Sequence, residues 1–274
     1  MNICLSTIAL EPNRWGGTRL PKRPQLERMI PLIAKGGVDA IEIWEGHALM
    51  EDAAGIRRCA ELARGEGLQV PAIGAYLDFS LRGAALEMQR YKMSFLIDAA
   101  KQFGSTIIKY FAGPRPWKSA DDEYKKVAVG YLNELCRLGE EAGVLMAAEM
   151  HGGTVTDCLE GAQWWMKQSR SPAHRLLFQP YGTDTQEAVE HFKVVAPHVC
   201  YIHVQGVRDK QYMLLENAEL DFAAVMRTAK QCGFDGWVCI EFVADCTLPE
   251  AEFDDQLVLR NTLKDKGFLM RAWA

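Results

Sequence analysis

The chain lacks the features that would send it to a membrane, to nucleic acid or to an oxidising compartment. No apolar run approaches the roughly 18–20 residues that span a bilayer. The opening "MNICLSTIAL" has no basic stretch ahead of a long apolar one and no small-residue cleavage site, so no secretory leader is expected. Positive charge is not in excess: the formal net charge is −5, which argues against general affinity for a phosphate backbone or an anionic lipid surface. The eight cysteines include no C-x-x-C pair, and several lie inside apolar runs such as "HVCYIHV" and "WVCIEF", where a thiol behaves as a small hydrophobe. Reduced, buried cysteines in a cytoplasmic protein follow as the expectation. Linkers and low-complexity segments are missing too, so residues 1–274 read as one domain with a large core.

What the chain does have is alternation. Short β-rich runs occur at 2–7, 38–44, 69–76, 105–112, 144–150, 175–179, 199–205 and 237–243. Most are continuous apolar stretches, as expected of strands covered on both faces. Helix-length segments separate them. In 84–104, Met88, Tyr91, Phe95, Ala99 and Phe103 recur at helical spacing, and in 121–143, Tyr124, Val127, Tyr131, Leu135 and Leu138 do the same. Ser119 is the expected cap of the second segment, and Gly104 and Gly143 are the expected stops. Eight strand–helix units in this length predict an α/β fold, a (β/α)8 TIM barrel. The open doubly wound alternative is disfavoured because "STIALEPNRWGG" contains no G-x-G-x-x-G phosphate turn.

In such a barrel the active site lies at the carboxyl ends of the strands. Four polar residues end consecutive strands there: Glu149, Gln179, His203 and Glu241. Alternation puts each on the same strand face as Leu145 and Ala147, Leu177, Tyr201, and Trp237 and Cys239 respectively, so inward-facing strands would bring the four together. Two carboxylates, an amide oxygen and an imidazole suit Mn2+, Mg2+, Co2+ or Zn2+, and two buried carboxylates need a compensating cation. The competing reading is that each is satisfied separately at the barrel rim.

The ordered segments "AAEMHGG", "LLFQPYG", "YIHVQGVRD" and "VCIEFV", with "GGVDAIEIW" and "IIKYFAG", resemble the xylose isomerase-like barrel superfamily of sugar isomerases, 3-epimerases and inosose dehydratases. The resemblance implies that Glu149, His203 and Glu241 are metal ligands. It also implies that Glu149 and Glu241 form an acid/base pair moving a proton next to a carbonyl, through an enediolate that the metal, Mn2+ by preference, stabilises. Where the family has an aspartate ligand and, three residues on, a substrate-binding histidine, this chain has Gln179 and Gly182. A neutral amide ligand should weaken metal binding somewhat and make an anionic substrate better tolerated.

Around this core, His151 shares the strand parity of Glu149 and is expected either to contact a substrate hydroxyl or carboxylate or to cap the next loop. Arg208 lies about one position from where the family keeps a substrate-binding arginine; a surface arginine is the alternative. Lys109, inside a strand, should form an ion pair, with Glu42 as its expected partner, or else reach the substrate. "RWGG" at 14–17, with Trp15, and "PRPW" at 114–117 place aromatic residues on the top loops, to stack on a sugar or to anchor the loops. No role is assigned to His47, His174, His191 or His198.

These features predict a metal-dependent isomerase or epimerase of a small keto-sugar or sugar derivative. A lyase, either a dehydratase or a decarboxylase acting on an oxo-sugar acid, and a metal-free sugar-binding barrel are the alternatives. A small sugar or sugar-acid substrate is expected, with no nucleic acid or membrane partner; the segment "DQLVLRNTLKDKGFLMRAW" offers an apolar face for pairing with a second copy.

Overall fold

A computed structural model describes residues 1–14, 25–180 and 182–274. Among these residues nine strands form, and eight of them close into a parallel barrel. The barrel strands are β1 (Asn2–Ser6), β2 (Ala40–Ile43), β3 (Gln69–Ala75), β4 (Ile107–Phe111), β5 (Leu145–Glu149), β6 (His174–Phe178), β7 (Val199–Arg208) and β9 (Trp237–Phe242). Each pairs in parallel with its neighbours, and the ring closes through β6 with β7, β7 with β9, and β9 with β1. The remaining strand, β8 (Gln211–Met213), folds back antiparallel on the end of β7.

Helices α1 (Leu26–Lys35), α2 (Glu45–Ala48), α3 (Ala53–Gly65), α4 (Gly83–Phe103), α5 (Asp122–Ala142), α6 (Leu159–Met166), α7 (Thr185–Val195), α8 (Phe222–Gln231) and α9 (Asp255–Trp273) follow in chain order. The stops of α4 and α5 are as expected: Gly104 and Gly143 adopt the left-handed conformation, at φ 74° and 70°. The cap of α5 is Asp121, which accepts from the Tyr124 amide, and not Ser119. Ser119 closes a 3-10 turn, where its hydroxyl donates to the Pro116 carbonyl. The stripe expected on α4 is met only in its second half. The buried face runs through Gln89, Met93, Leu96, Ile97, Ala99, Ala100 and Phe103, so Ala99 and Phe103 of the expected stripe go in, whereas Met88 and Tyr91 stand out in solvent. Nor is the apolar face of α9 left open. Val258, Leu259 and Leu269 are buried within the chain's own core, with Leu263 and Met270 outside.

The alternation rule holds through the barrel interior. Cys4, Ala40, Ala72, Ile107, Ala147, Leu177, Tyr201 and Cys239, one from each barrel strand, form a separate apolar cluster with Leu145 and Trp237 packed against it. The outward-facing strand residues join the helices in the larger core. All eight cysteines are free thiols, five of them buried. No helix among the described residues is long and apolar enough to cross a membrane.

Candidate metal centre

Two residues beyond each member of the interior cluster lies the next inward-facing position. Those positions hold Ser6, Glu42, Gly74, Lys109, Glu149, Gln179, His203 and Glu241, and every polar one of them is buried. The four residues singled out in the sequence thus belong to one ring, together with a third carboxylate, an ammonium and a hydroxyl.

The ring is organised around His203. Its Nε2 lies 2.9 Å from Glu42 Oε2, while Ser6 donates to the other Glu42 oxygen at 2.8 Å. Burial pushes the Glu42 carboxyl up, but His203, Lys109 and the Ser6 hydroxyl outweigh it and hold the group at about 2. An ionised Glu42 only accepts, so Nε2 carries a proton. Burial lowers the His203 pKa, but Glu42 and Glu241 raise it well above the ordinary imidazole range. Without a cation Nδ1 is therefore protonated too, and a divalent ion would take that proton's place. Nδ1 is buried and makes no hydrogen bond. It faces Glu149 Oε1 at 3.8 Å and Glu241 Oε2 at 3.5 Å. One ligand atom from each of Glu149, His203 and Glu241 falls within 4.8 Å of the others. An imidazole nitrogen without a hydrogen-bond partner, aimed at two carboxylates and with its far side fixed by a third, is an arrangement that could hold a divalent ion.

Lys109 corrects one expectation. Its ammonium pairs with Glu149 Oε2 at 2.8 Å, not with Glu42. β4 borders β5 directly, whereas β3 separates it from β2, and both Glu42 oxygens are already engaged. Burial lowers the ammonium's pKa, but Glu149 and Glu42 more than reverse this, so Lys109 stays charged. The rings of Phe111 and Tyr76 cover it at 4.8 and 5.7 Å, and it is not among the residues that line the cavity above. Gly74 makes room for it: a Cβ there would lie 3.1 Å from Lys109 Cε.

Above the ring opens a cavity of about 900 Å³. Glu241 and Gln179 form part of its floor, and Trp44, Tyr76, Phe111 and Phe242 give it aromatic walls. The Trp44 indole donates to the Tyr76 hydroxyl at 3.0 Å, fixing both rings. His151 lines the lip, its ring tilted against Phe111 at 4.5 Å with Nδ1 2.8 Å from the Gly152 carbonyl. Arg208 is exposed at the end of the β7–β8 hairpin, opposite Gln211, and is not part of the cavity wall. Trp15 lies outside the described residues. Trp117 of "PRPW" acts as an anchor, packed on Trp164 and under Lys125. Arg14, Tyr76 and Gln205 also line the cavity; no periodic pattern marks them, since Arg14 comes from a loop and the other two lie beyond or late in their strands.

Residues 30–262 match the family model described as xylose isomerase-like TIM barrel. The chain belongs to that family. Among its xylose isomerase-like relatives, an inosose dehydratase of Yersinia enterocolitica is 25% identical over 149 residues, covering 46% of this chain. The aligned part spans about half (49%) of that relative's own length. Two solved structures share the fold over the full length of this chain and 99% of their own. The IolI protein with a bound zinc atom is 17% identical with a TM-score of 0.78. D-psicose 3-epimerase with D-tagatose, from Clostridium cellulolyticum H10, is 12% identical with a TM-score of 0.77.

Within this xylose isomerase-like ring, Gln179 stands between the two carboxylates. With its nitrogen turned to them, its amide donates to Glu149 Oε1 at 3.0 Å and to Glu241 Oε2 at 3.2 Å. An aspartate could not do this, because an ionised carboxylate has no proton to donate. Rotating the amide by half a turn offers its oxygen to the same space.

Proposed function

We propose that this chain is a divalent-metal-dependent isomerase or epimerase of a small keto-sugar or sugar derivative, acting by proton transfer at the carbon next to a carbonyl. The observation that carries the reading is the orphaned His203 Nδ1 between Glu149 and Glu241, its Nε2 held by Glu42. Glu149, His203 and Glu241 would hold the ion, with Gln179 turning its oxygen inward as a fourth ligand; oxygen and nitrogen donors of this kind favour Mn2+, with Mg2+, Co2+ and Zn2+ as substitutes. The chemistry such an ion supplies when bound is Lewis acidity toward the substrate carbonyl.

The chain's own residues do the rest. Glu241 reaches the cavity floor and is the base that takes the proton from carbon. Glu149, oriented from below by Lys109, is the group that returns a proton on the other side. His151, with Nδ1 committed to the Gly152 carbonyl, turns its other nitrogen to a substrate hydroxyl. Trp44, Tyr76, Phe111 and Phe242 shield the reacting carbon from water. The zinc in one structural neighbour and the epimerase chemistry named for another support this reading.

A second reading, a dehydratase or other lyase, rests on a specific asymmetry. Glu241 lines the cavity, whereas Glu149 is tied to Lys109 and does not. Epimerisation needs a proton-carrying group on each side of one carbon; elimination needs a single base beside a polarised carbonyl. The relative named inosose dehydratase favours it as well. Incubation with Mn2+ in deuterium oxide, first with ketoses and then with oxo-sugar acids, separates the two. Deuterium gain with the carbon and oxygen count intact supports the first; a dehydrated product or released CO2 supports the second. Absence of all of these with metal-loaded protein rejects both.

A further inference from the structure

Arg14 follows the 3-10 turn Thr7–Leu10 at the top of β1, and its side chain is 2% exposed yet lines the cavity. A guanidinium has five N–H donors. Nε donates to the Ile8 carbonyl at 2.9 Å, and Nη2 donates to the carbonyls of Ala9, at 3.0 Å, and Cys246. That accounts for three donors and leaves the two on Nη1, which has no partner among the described residues. Three backbone carbonyls satisfy hydrogen bonds without neutralising a charge, and a buried cation without a counter-ion is costly. The neighbouring carboxylate, Glu11, spends one oxygen on the Asn13 amide at 2.9 Å and the other on His47 at 3.3 Å.

The surroundings of Arg14 have the character of a subsite. Its guanidinium lies 5.8 Å from the centre of the Phe242 ring, which Tyr212 stacks at 4.7 Å on the way to the lip. Gln205 lies across from Phe242 on the adjoining strand and lines the same cavity; its Oε1 is buried without a partner. Glu241, the adjoining residue to Phe242, links this corner to the ring below. With a divalent ion bound the ring would not repel an anion: three carboxylates (Glu42, Glu149, Glu241), one ammonium (Lys109), a neutral Gln179 and the ion sum to zero.

We propose that Arg14 Nη1 holds a carboxylate oxygen of the substrate, with Gln205 taking a hydroxyl beside it, so that the molecule turned over is a polyhydroxylated oxo acid. The two Nη1 protons diverge, so one meets a carboxylate oxygen while the other is left for a neighbouring hydroxyl or water; a phosphate dianion calls for more donors than this corner holds. The inference rests on the reading that the cavity takes a polyhydroxylated carbonyl compound.

The test is calorimetric titration of the intact protein, metal-free and Mn2+-loaded, with D-glucuronate against D-glucose and 2-keto-D-gluconate against D-fructose, and with D-fructose 6-phosphate as a further arm. Each acid is expected to bind about tenfold tighter than its neutral counterpart. Raising the salt from about 50 to about 300 mM should weaken the acids alone. Arg14→Gln, once shown by circular dichroism to be folded, should abolish the preference of acid over neutral counterpart. The wild-type comparison stands even where loss of the carbonyl clamp unfolds that variant. Equal binding of acids and neutral sugars, no binding of either, tighter binding of the phosphate, or an acid preference that survives in folded Arg14→Gln would each overturn the proposal. Failure of Mn2+ to bind would instead reject the metal-dependent reading, while the acid preference stays measurable in the metal-free protein.

Discussion

Glu42 holds His203 from behind: the carboxylate takes Nε2 at 2.9 Å, and Nδ1 faces Glu149 and Glu241 without a hydrogen-bond partner. Glu42→Gln keeps the shape but removes the charge that fixes the tautomer and raises the basicity of Nδ1. Mn2+ affinity should fall about 10–100-fold in calorimetric titration, as is usual when the supporting carboxylate of a metal-bound histidine is lost. Unchanged affinity would mean that His203 does not ligate through Nδ1.

Lys109 is the resident cation of the ring. Lys109→Met fills similar volume and leaves Glu149 buried without its partner, which should cost about 3–5 kcal/mol in chemical denaturation with chelator present. A divalent ion compensates the same carboxylate, so the rise in melting temperature on adding Mn2+ should be larger for the variant than for the parent. A variant as stable as the parent in chelator would show that Glu149 does not depend on the pair.

The layout of this ring was legible in the sequence wherever strand alternation governs it. Ala147 and Glu149, Leu177 and Gln179, Tyr201 and His203, and Cys239 and Glu241 fall on the inward faces assigned to them. Side-chain partners were not legible. Alternation says that Lys109 points inward; which carboxylate it meets depends on strand adjacency and on Ser6 and His203 already occupying Glu42. The β7–β8 hairpin was missed for a local reason. Its two-residue turn is Asp209–Lys210, both at positive φ (51° and 62°), a conformation usually announced by Asn-Gly or Asp-Gly. That turn carries Arg208 out to the surface. On α4 the expected stripe meets the buried face only in its second half, at Ala99 and Phe103; Met88 and Tyr91 fit the spacing but stay exposed, while Gln89 goes in to bond the backbone of Asp78.

Gln179 satisfies the two carboxylates while no metal competes. Gln179→Glu keeps the chain length and replaces the donating nitrogen with a third anionic oxygen between Glu149 and Glu241. In chelator the variant should lose roughly 1–3 kcal/mol of stability, the cost of buried acceptors stripped of their donor. With Mn2+ the order should reverse, and affinity should rise about tenfold or more through the added charge. Weaker metal binding in the variant would show that residue 179 stays outside the coordination sphere.

The acid side of the stability profile offers a test far from the metal ring. Asp265 of α9 is buried, accepts from the Leu215 amide at 2.8 Å through one oxygen, and has no partner for the other. Burial drives its carboxyl up to about 7, against 3.8 for the free group. The folded protein therefore keeps this proton over a range in which the unfolded chain has released it. The resulting stability is fully present below about pH 4 and is lost as pH rises toward 7. A shift of about three units corresponds to on the order of 3–4 kcal/mol. Asp265→Asn retains the oxygen that meets Leu215 and cannot ionise. The variant's stability, measured by urea denaturation from pH 4.5 to 8, should gain on the parent steadily between about 4.5 and 7 and stay level above that. Parallel profiles for the two proteins would place the Asp265 carboxyl back in the ordinary acid range and leave the buried contact with Leu215 uncoupled from pH.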